Sequence, residues 1–567
     1  MSAAIVEQPF NASLDHLNRP ISTAVMPIPT ISSLHEDIVA LVFAEFNTWL
    51  PAERAACARG ALVCRTWAGP ASKTLWRSLR SLLPLYGILL PVPQVVRKTY
   101  IGNFHGSHVP LSYIEYIGEI LKTRPFDDPT VWSSFLRCAS RIRQLIDWDP
   151  RFDLRILRAL CHHNGGNTVL PVLRTLSWAD AKSPRSDEAL ALFAPPTLQH
   201  LAYHINSETP AQFISNTLTN LVPKAPYLSS LKIVVDTRMT TRLPLLPFLW
   251  QFQRLRRLSF LGCQVVTPSC LTGFSSFPTL EHLECNIEGF EAYQVRYSFD
   301  VPNLLVLRIT GTGTSMRGLL RTLRAPRIQD LVLDAREKGG EPACDAHRDL
   351  FRDMPTAPFA CSLQKFSYHS GPAKYGPPHH QVHPNRTSFL ELIHPLLSLK
   401  QLRRVSIICH WEEVGLGDEE VLAAAEAWRD VEELMLAPLE RYQEPLAERS
   451  LRPTTLCLPH LHRLCPNLSF LALPIDMETP EVSVPSGIDG TEGQNLRPHR
   501  LKRFDILGYR SLMTSQEDLE ALARYLAGAF PDLEPCAPFV ISKDPWDSMW
   551  SKLRSLQESQ RDLVGSK

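Results

Sequence analysis

A spaced pattern of apolar residues recurs from Pro171 onward, and it constrains the fold more than any other feature of the sequence. Each unit has an apolar residue, two variable residues, a second apolar residue, one variable residue and a third apolar residue. Because strand side chains alternate between two faces, the last two apolar positions point to the same face of a strand. The pattern therefore predicts a row of short strands, each with one apolar face. The first positions of the twelve units are Leu173, Leu198, Leu228, Leu255, Leu280, Leu304, Ile328, Leu363, Leu402, Val431, Leu468 and Leu501.

Proline and spacing extend this prediction to a repeat architecture. Seven units carry a proline two residues before the first apolar position, where it ends a preceding helix and favours an extended chain. Successive units start 24 to 39 residues apart, and the shorter intervals match those of leucine-rich repeats. The chain resembles a degenerate leucine-rich-repeat array in which most units lack the usual asparagine after the strand. This resemblance implies an α/β fold with a curved, irregular solenoid over residues 166–512.

Residues 31–80 carry a different, helical pattern. Four apolar residues fall on one face of a predicted first helix: Leu34, Ile38, Leu41 and Val42. A second helix is predicted through Val63–Trp67, ending near Gly69–Pro70, and Leu75–Trp76 follows. So short a segment cannot bury this much apolar surface by itself, which indicates a partner. An ordinary two-helix packing unit is the alternative interpretation.

The same segment resembles the F-box in its order of motifs: Leu34, Asp37, Val42–Phe43, Val63-Cys64-Arg65-x-Trp67 and Leu75–Trp76. His35 stands where that family has proline, and Asp37 where it has glutamate. The resemblance implies a small helical domain that docks on a Skp1-type adaptor and, through it, a cullin. The residues that it assigns to adaptor binding are Leu34, His35, Ile38, Val42, Phe43, Val63, Cys64, Trp67, Leu75 and Trp76.

Three further segments complete the predicted organisation. Residues 1–30 form an N-terminal tail. Residues 81–165 form a helical linker or cap for the repeats, with an amphipathic helix at Val131–Leu145. Residues 513–567 form a C-terminal helical cap and tail, with helices at Gln516–Phe530 and Trp546–Leu563. A polar terminal element is expected, since a solenoid must cover its last repeat.

Composition narrows the class of protein. Lys and Arg number 59 against 58 Asp and Glu, so there is no overall basic footprint for nucleic acid. The 13 cysteines are scattered without a CxxC pair, which favours reduced thiols and a cytoplasmic or nuclear location. The uncharged run Ser81–Val96 is too short and too rich in proline to span a membrane. We therefore expect neither nucleic acid nor a membrane as partner.

The sequence gives only weak support for metal-binding or catalytic sites. Cys161-His162-His163 contains metal-ligand residue types, but adjacent helical residues point in different directions. His379, His380 and His383 lie in a segment rich in proline and glycine, for which a mobile insertion loop is the alternative to a metal site. No nucleophile elbow, phosphate-binding loop or HExxH motif is present. We expect a non-enzyme without cofactors.

The third and fifth positions of each unit should face away from the core, on the concave face of the solenoid. Their side chains are mixed in charge, and five are candidates for binding a target protein: Arg257, His282, Arg308, Arg404 and Arg503. The alternative is that Glu284, Glu433 and Asp505 neutralise these cations. Together the resemblances imply a substrate-receptor subunit of an SCF-type ubiquitin ligase, or alternatively a Skp1-associated scaffold without ligase activity.

Overall fold

The chain forms two compact units, Met1–Ser78 and Leu79–Lys567. The computed structural model describes residues 36–93, 111–146, 154–179, 190, 193–205, 211–235, 246–262, 265–290, 298–336, 343–370, 387–409, 414–438, 452–475, 499–507, 516–534 and 544–565. The predicted tail at 1–30 lies outside these residues.

The described part of the first unit consists of helices α1 (Glu36–Ala44), α2 (Pro51–Val63) and α3 (Arg65–Arg77). Its core contains Val39, Phe43, Cys57 and Ala71, and Trp67 packs against this cluster. The rings of Phe43 and Trp67 meet edge to face, with centroids 5.7 Å apart, a favourable geometry for an aromatic pair. Phe43 therefore joins α1 to α3.

The predicted second helix is wrong in its boundaries. Cys64 is extended, with φ of −160° and ψ of 168°, and it separates α2 from α3. Helix α3 then continues through Pro70 to Arg77, although a proline beyond the first turn removes a helical hydrogen bond. Pro70 is buried, so tertiary packing outweighs the local stop signal.

Gly60 allows α2 to approach Phe43 closely, and this contact yields a prediction. A Cβ at Gly60 would lie 2.5 Å from Phe43 Cζ, so Gly60→Ala should overpack the first unit and destabilise it by ~1–3 kcal/mol. Hydrogen exchange of α1 and α3 amides in the full chain would measure the loss. Gly69→Ala is the control, because the nearest atom to its Cβ is 3.8 Å away; equal protection in both variants would contradict the packing.

The second unit begins with helices α4 (Leu83–Leu89), α5 (Leu111–Thr123), α6 (Pro129–Ala139) and α7 (Leu154–His163). The side chain of Asp128 accepts a hydrogen bond from Thr130 N at 2.8 Å and caps α6. This helix ends earlier than the predicted Val131–Leu145 helix because Gln144–Leu145 enters the sheet as a strand.

A long parallel sheet dominates the second unit. Its strands pair in chain order, apart from β7, which pairs only with β8. The strands are β1 (Ser78–Leu79), β2 (Gln144–Leu145), β3 (Thr175–Ala179), β4 (His200–Ile205), β5 (Ser230–Val235), β6 (Arg257–Leu261), β7 (Val265–Val266), β8 (His282–Ile287), β10 (Val306–Gly311), β12 (Asp330–Ala335), β13 (Lys365–Ser370), β15 (Arg404–Cys409), β17 (Glu433–Pro438), β18 (Phe470–Leu473) and β19 (Arg503–Ile506). Two small sheets pair β9 (Phe299–Asp300) with β11 (Leu323–Arg324), and β14 (Thr387–Ser388) with β16 (Val414–Gly415).

Helices alternate with the strands of the large sheet. They are α8 (Ala211–Leu221), α9 (Leu246–Leu249), α10 (Pro268–Phe274), α11 (Gly313–Thr322), α12 (Ala343–Asp353), α13 (Phe389–Ile393), α14 (Asp418–Ala427) and α15 (Cys457–Leu464). Helices α16 (Gln516–Ala529) and α17 (Asp544–Gly565) follow the last strand. The unit is thus an α/β, solenoid-like repeat fold with a long parallel sheet, which confirms the predicted class at this level.

The predicted side-chain register is confirmed. Every residue at the three apolar positions of the twelve units is buried, except the half-buried Ile506. Backbone hydrogen bonds fix this register from unit to unit. The carbonyl of Arg256, for example, accepts hydrogen bonds from the N–H groups of Glu281 and His282 at 2.8 and 2.9 Å. The Glu281 carbonyl accepts equivalent bonds from the next unit.

Polar side chains just before the first apolar position join neighbouring units by hydrogen bonds. The Thr197 hydroxyl donates to the carbonyls of Pro171 and Leu173. The Thr279 hydroxyl donates to Leu255 O at 2.8 Å. Ser362, Asn303 and Gln401 make corresponding bonds to the preceding unit.

These side-chain bonds give a second prediction. Thr279→Val keeps the shape of the side chain but removes the donor to Leu255 O, so it should lower the free energy of unfolding by about 1 kcal/mol. Urea denaturation would measure the change. Thr219→Val is the control, because Thr219 is exposed and its hydroxyl donates to Ser215 O within the same helix. A larger loss in the control would contradict a joining role for Thr279.

Candidate docking surfaces

The first unit exposes a group of large apolar side chains, here called the exposed apolar set. Their exposed fractions run from 48% for Ile38 to 87% for Leu62. Among the other described residues, only three large apolar side chains are similarly exposed: Ile114, Tyr227 and Leu456. The exposed apolar set consists of Ile38, Leu41, Val42, Leu50, Leu62 and Val63.

The helical pattern of α1 explains this exposure. Ile38, Leu41 and Val42 have the spacing of one helical face, whereas Val39 and Phe43 enter the core. Leu62 and Val63 are the last residues of α2, just before the extended Cys64. The unit therefore keeps apolar surface in solvent although it has a packed core, and exposed apolar groups of this kind mark interaction sites.

The residues predicted to bind an adaptor fall into different environments. Ile38, Val42 and Val63 belong to the exposed apolar set. Phe43 is buried, and Trp67 and Leu75 pack against the core. Cys64 and Trp76 are half-buried, and Leu34 and His35 lie outside the described residues.

Three exposed residues, Leu41, Leu50 and Leu62, were absent from the predicted adaptor-binding set. Leu41 could have been found from its helical spacing relative to Ile38. Leu62 and Leu50 could not, because their exposure depends on where α2 begins and ends.

A second surface lies on the sheet of the second unit, where third- and fifth-position side chains form two rows across the strands. In the first row, Arg257 is in register with His282. In the second row, Glu284 is in register with Arg308. Arg257 and Arg308 are exposed, so the sheet brings these two predicted target-binding cations and His282 onto three adjacent strands.

The other two predicted cations are paired within the chain. Arg404 lies 3.3 Å from a carboxylate oxygen of Glu433 on the next strand. Arg503 lies 2.8 Å from Asp505, and its guanidinium sits 5.2 Å from the Phe470 ring centroid. The neutralising alternative therefore holds for Arg404 and Arg503.

The pKa values of two histidines reflect the burial and charge of the region around His282. Burial and the positive charges of Arg308 and Arg257 lower the pKa of His282, against the opposing effects of Glu284 and Asp330. The pKa of His200 is also lowered, by burial and by Arg257. Burial is the larger cause of both shifts, and the added effect of the arginines places positive charge near both imidazoles.

Cys161 and His163, two of the candidate metal ligands in the sequence, pack against other parts of the chain. Cys161 is buried, and the His163 ring meets the Trp132 ring edge to face at 4.8 Å. Within the described residues, no group of three His, Cys, Asp or Glu side chains is placed to hold a metal ion. His379, His380 and His383 lie outside them. None of the helices in the described part of the chain has the length and apolar character needed to cross a membrane.

No protein-family model matches this chain, and neither does any curated protein sequence. Among solved structures, a chain from the complex of Rad7 and Elc1 in yeast is similar at 15% identity, with a TM-score of 0.35. That match covers 73% of this chain and 100% of the other. An internalin (inlF) from Listeria monocytogenes is similar at 12% identity, with a TM-score of 0.26, over 57% of this chain and 89% of the other.

Proposed function

We propose that this chain is a substrate receptor of an SCF-type ubiquitin ligase. The observation that carries the proposal is the exposed apolar set on a three-helix unit whose sequence resembles the F-box. In this proposal the set is covered by a Skp1-type adaptor, which in turn binds a cullin. The adaptor would remove apolar side chains from water, the main favourable contribution to most protein association.

The repeat unit supplies the second half of the proposed function. Its sheet residues are divided between a buried apolar side and a polar outward side, so the outward residues are not needed to hold the core together. Repeat folds commonly use such extended faces for binding. The outward sheet face would hold a target protein.

The proposed mechanism is proximity. A target bound to the repeats would keep a lysine near the ubiquitin thioester carried by another subunit, which raises the effective concentration of the two reactants. This chain would contribute no catalytic residue and no cofactor. It would act in the cytoplasm or nucleus, because its scattered cysteines favour reduced thiols.

A scaffold that binds the adaptor without a ligase is the alternative, favoured by the same apolar surface. Purification of the full chain with adaptor and cullin distinguishes the two functions. A stable complex of all three proteins is expected of a receptor, whereas a complex with adaptor alone would favour the scaffold. Failure to bind the adaptor at all would contradict both.

A further inference from the structure

The five predicted target-binding residues divide into two groups according to their contacts. Arg404 and Arg503 are held by carboxylates of this chain at 3.3 and 2.8 Å. Arg257 and Arg308 are exposed and make no ion pair with another described residue. The outward sheet face therefore has cations without an ion pair among the described residues in its middle section, on β6 and β10. Towards its end, on β15 and β19, the cations are paired with carboxylates.

Strand pairing brings further positive charge to this middle section. Lys232 on β5 is exposed and in register with Ser259, so the second row runs from Lys232 through Ser259 and Glu284 to Arg308. Three permanent cations, Lys232, Arg257 and Arg308, thus lie on the strands around the Glu284 carboxylate. The Ser259 hydroxyl already donates to that carboxylate.

Neighbouring carboxylates leave this positive charge in place. Glu281 is paired with Arg256 at 3.5 Å. Asp330, in the first row on β12, acts on His282 from across β10, so the three cations outnumber the two carboxylates Glu284 and Asp330. An acidic ligand approaching Arg257 and Arg308 would therefore meet attraction from three cations.

The spacing suits an extended chain. Arg257 and Arg308 lie on β6 and β10, with β8 between them, so two strand spacings of about 4.8 Å place their backbones about 10 Å apart. An extended peptide covers that distance in about three residues. Guanidinium groups also bind carboxylates by paired, charge-assisted hydrogen bonds.

We propose that the middle section of the outward sheet face, formed by Lys232, Arg257, His282 and Arg308, binds an extended segment of the target protein rich in aspartate and glutamate. The inference rests on the proposed function, since it specifies the target that the repeats would hold. Arg404 and Arg503 take no part in this recognition.

His282 makes this binding depend on pH. Burial, and after it the positive charges of Arg308 and Arg257, lower the pKa of the His282 imidazole in the unbound chain, while Glu284 and Asp330 oppose this shift. Carboxylates of a bound segment would raise that pKa, so the complex takes up a proton. Affinity should therefore increase as the pH falls towards the pKa of His282 in the unbound chain, as long as the carboxylates of the segment stay ionised.

The experiment uses the full chain bound to its adaptor and a displayed library of short random peptides. The selected peptides are synthesised in three forms: unchanged, with Asp and Glu replaced by Asn and Gln, and with Ser and Thr phosphorylated. Their affinities are measured by fluorescence anisotropy for the wild type, for R257Q/R308Q and for the matched control R404Q/R503Q. A single-stranded oligonucleotide serves as a competing polyanion.

The expected result is that the library yields peptides rich in Asp and Glu. The forms with Asn and Gln in their place should not bind. R257Q/R308Q should weaken binding about tenfold or more, and the control by less than about threefold. A pool without acidic enrichment, equal losses in both variants, binding of phosphorylated forms alone, or equal competition by the oligonucleotide would each overturn the proposal. Adaptor binding is recorded separately in each preparation, and its loss in the wild type would refute the proposed function instead.

Discussion

Val42→Asp combined with Val63→Asp is expected to abolish co-purification of this chain with a Skp1-type adaptor. Both valines are more than half exposed in the first unit, at 56% and 63%, so the substitutions leave its core intact. Truncating a central interface residue often costs about 2–4 kcal/mol, and a buried, unpaired carboxylate adds a desolvation penalty. Affinity should fall by roughly a hundredfold or more, measurable by calorimetry with purified adaptor.

The matched control is Lys73→Asp, which also places a carboxylate on an exposed position of the same unit. It should leave adaptor affinity nearly unchanged. Trp67 is unsuitable for this test because its ring packs against Phe43 in the core, and its loss would unfold the unit. If a folded Val42/Val63 double variant binds the adaptor as well as the wild type does, the assignment of this surface to the adaptor is wrong.

Leu307→Asp is expected to unfold much of the second unit. Leu307 is 1% exposed in the middle of the sheet, and even Leu→Ala at such a site costs ~2–5 kcal/mol. A charged carboxylate without a partner costs more. Because each repeat is stabilised by its neighbours, the loss should extend to β8 and β12, which pair with this strand. Urea denaturation and hydrogen exchange along the sheet would measure it.

The adjacent Arg308 provides the comparison. Its side chain lies on the opposite, exposed side of the same strand, so Arg308→Ala should change the free energy of unfolding by no more than about 0.5 kcal/mol. Similar destabilisation by Leu307→Ala and Arg308→Ala would show that the register described for β10 is wrong.

Strand positions could be predicted from the sequence because they depend on a local property. A side chain two residues from its apolar neighbour must share its face, whatever the length of the intervening segments. This is why Leu258, Leu283 and Leu307 are all buried, as their spacing indicated. Helix α16, observed over Gln516–Ala529, likewise agrees with the helix that periodicity predicts over Gln516–Phe530.

Features that depend on packing between distant segments could not be predicted. Nothing local distinguishes Arg404 from Arg257, yet one faces Glu433 across the strand pair and the other faces His282. The break at Cys64 is similar, since it places Val63 in solvent and Trp67 against the core. The Thr279 bond to Leu255 O also becomes visible only when two units are aligned.

The constant register between units has a consequence for how such a chain can evolve. Strands pair residue for residue whether successive units begin 24 or 39 residues apart. The additional residues lengthen the connections without moving a side chain along the sheet. Substitutions at the third and fifth positions can therefore alter binding specificity while insertions add new loops. These two sources of variation can be selected independently, without rebuilding the core.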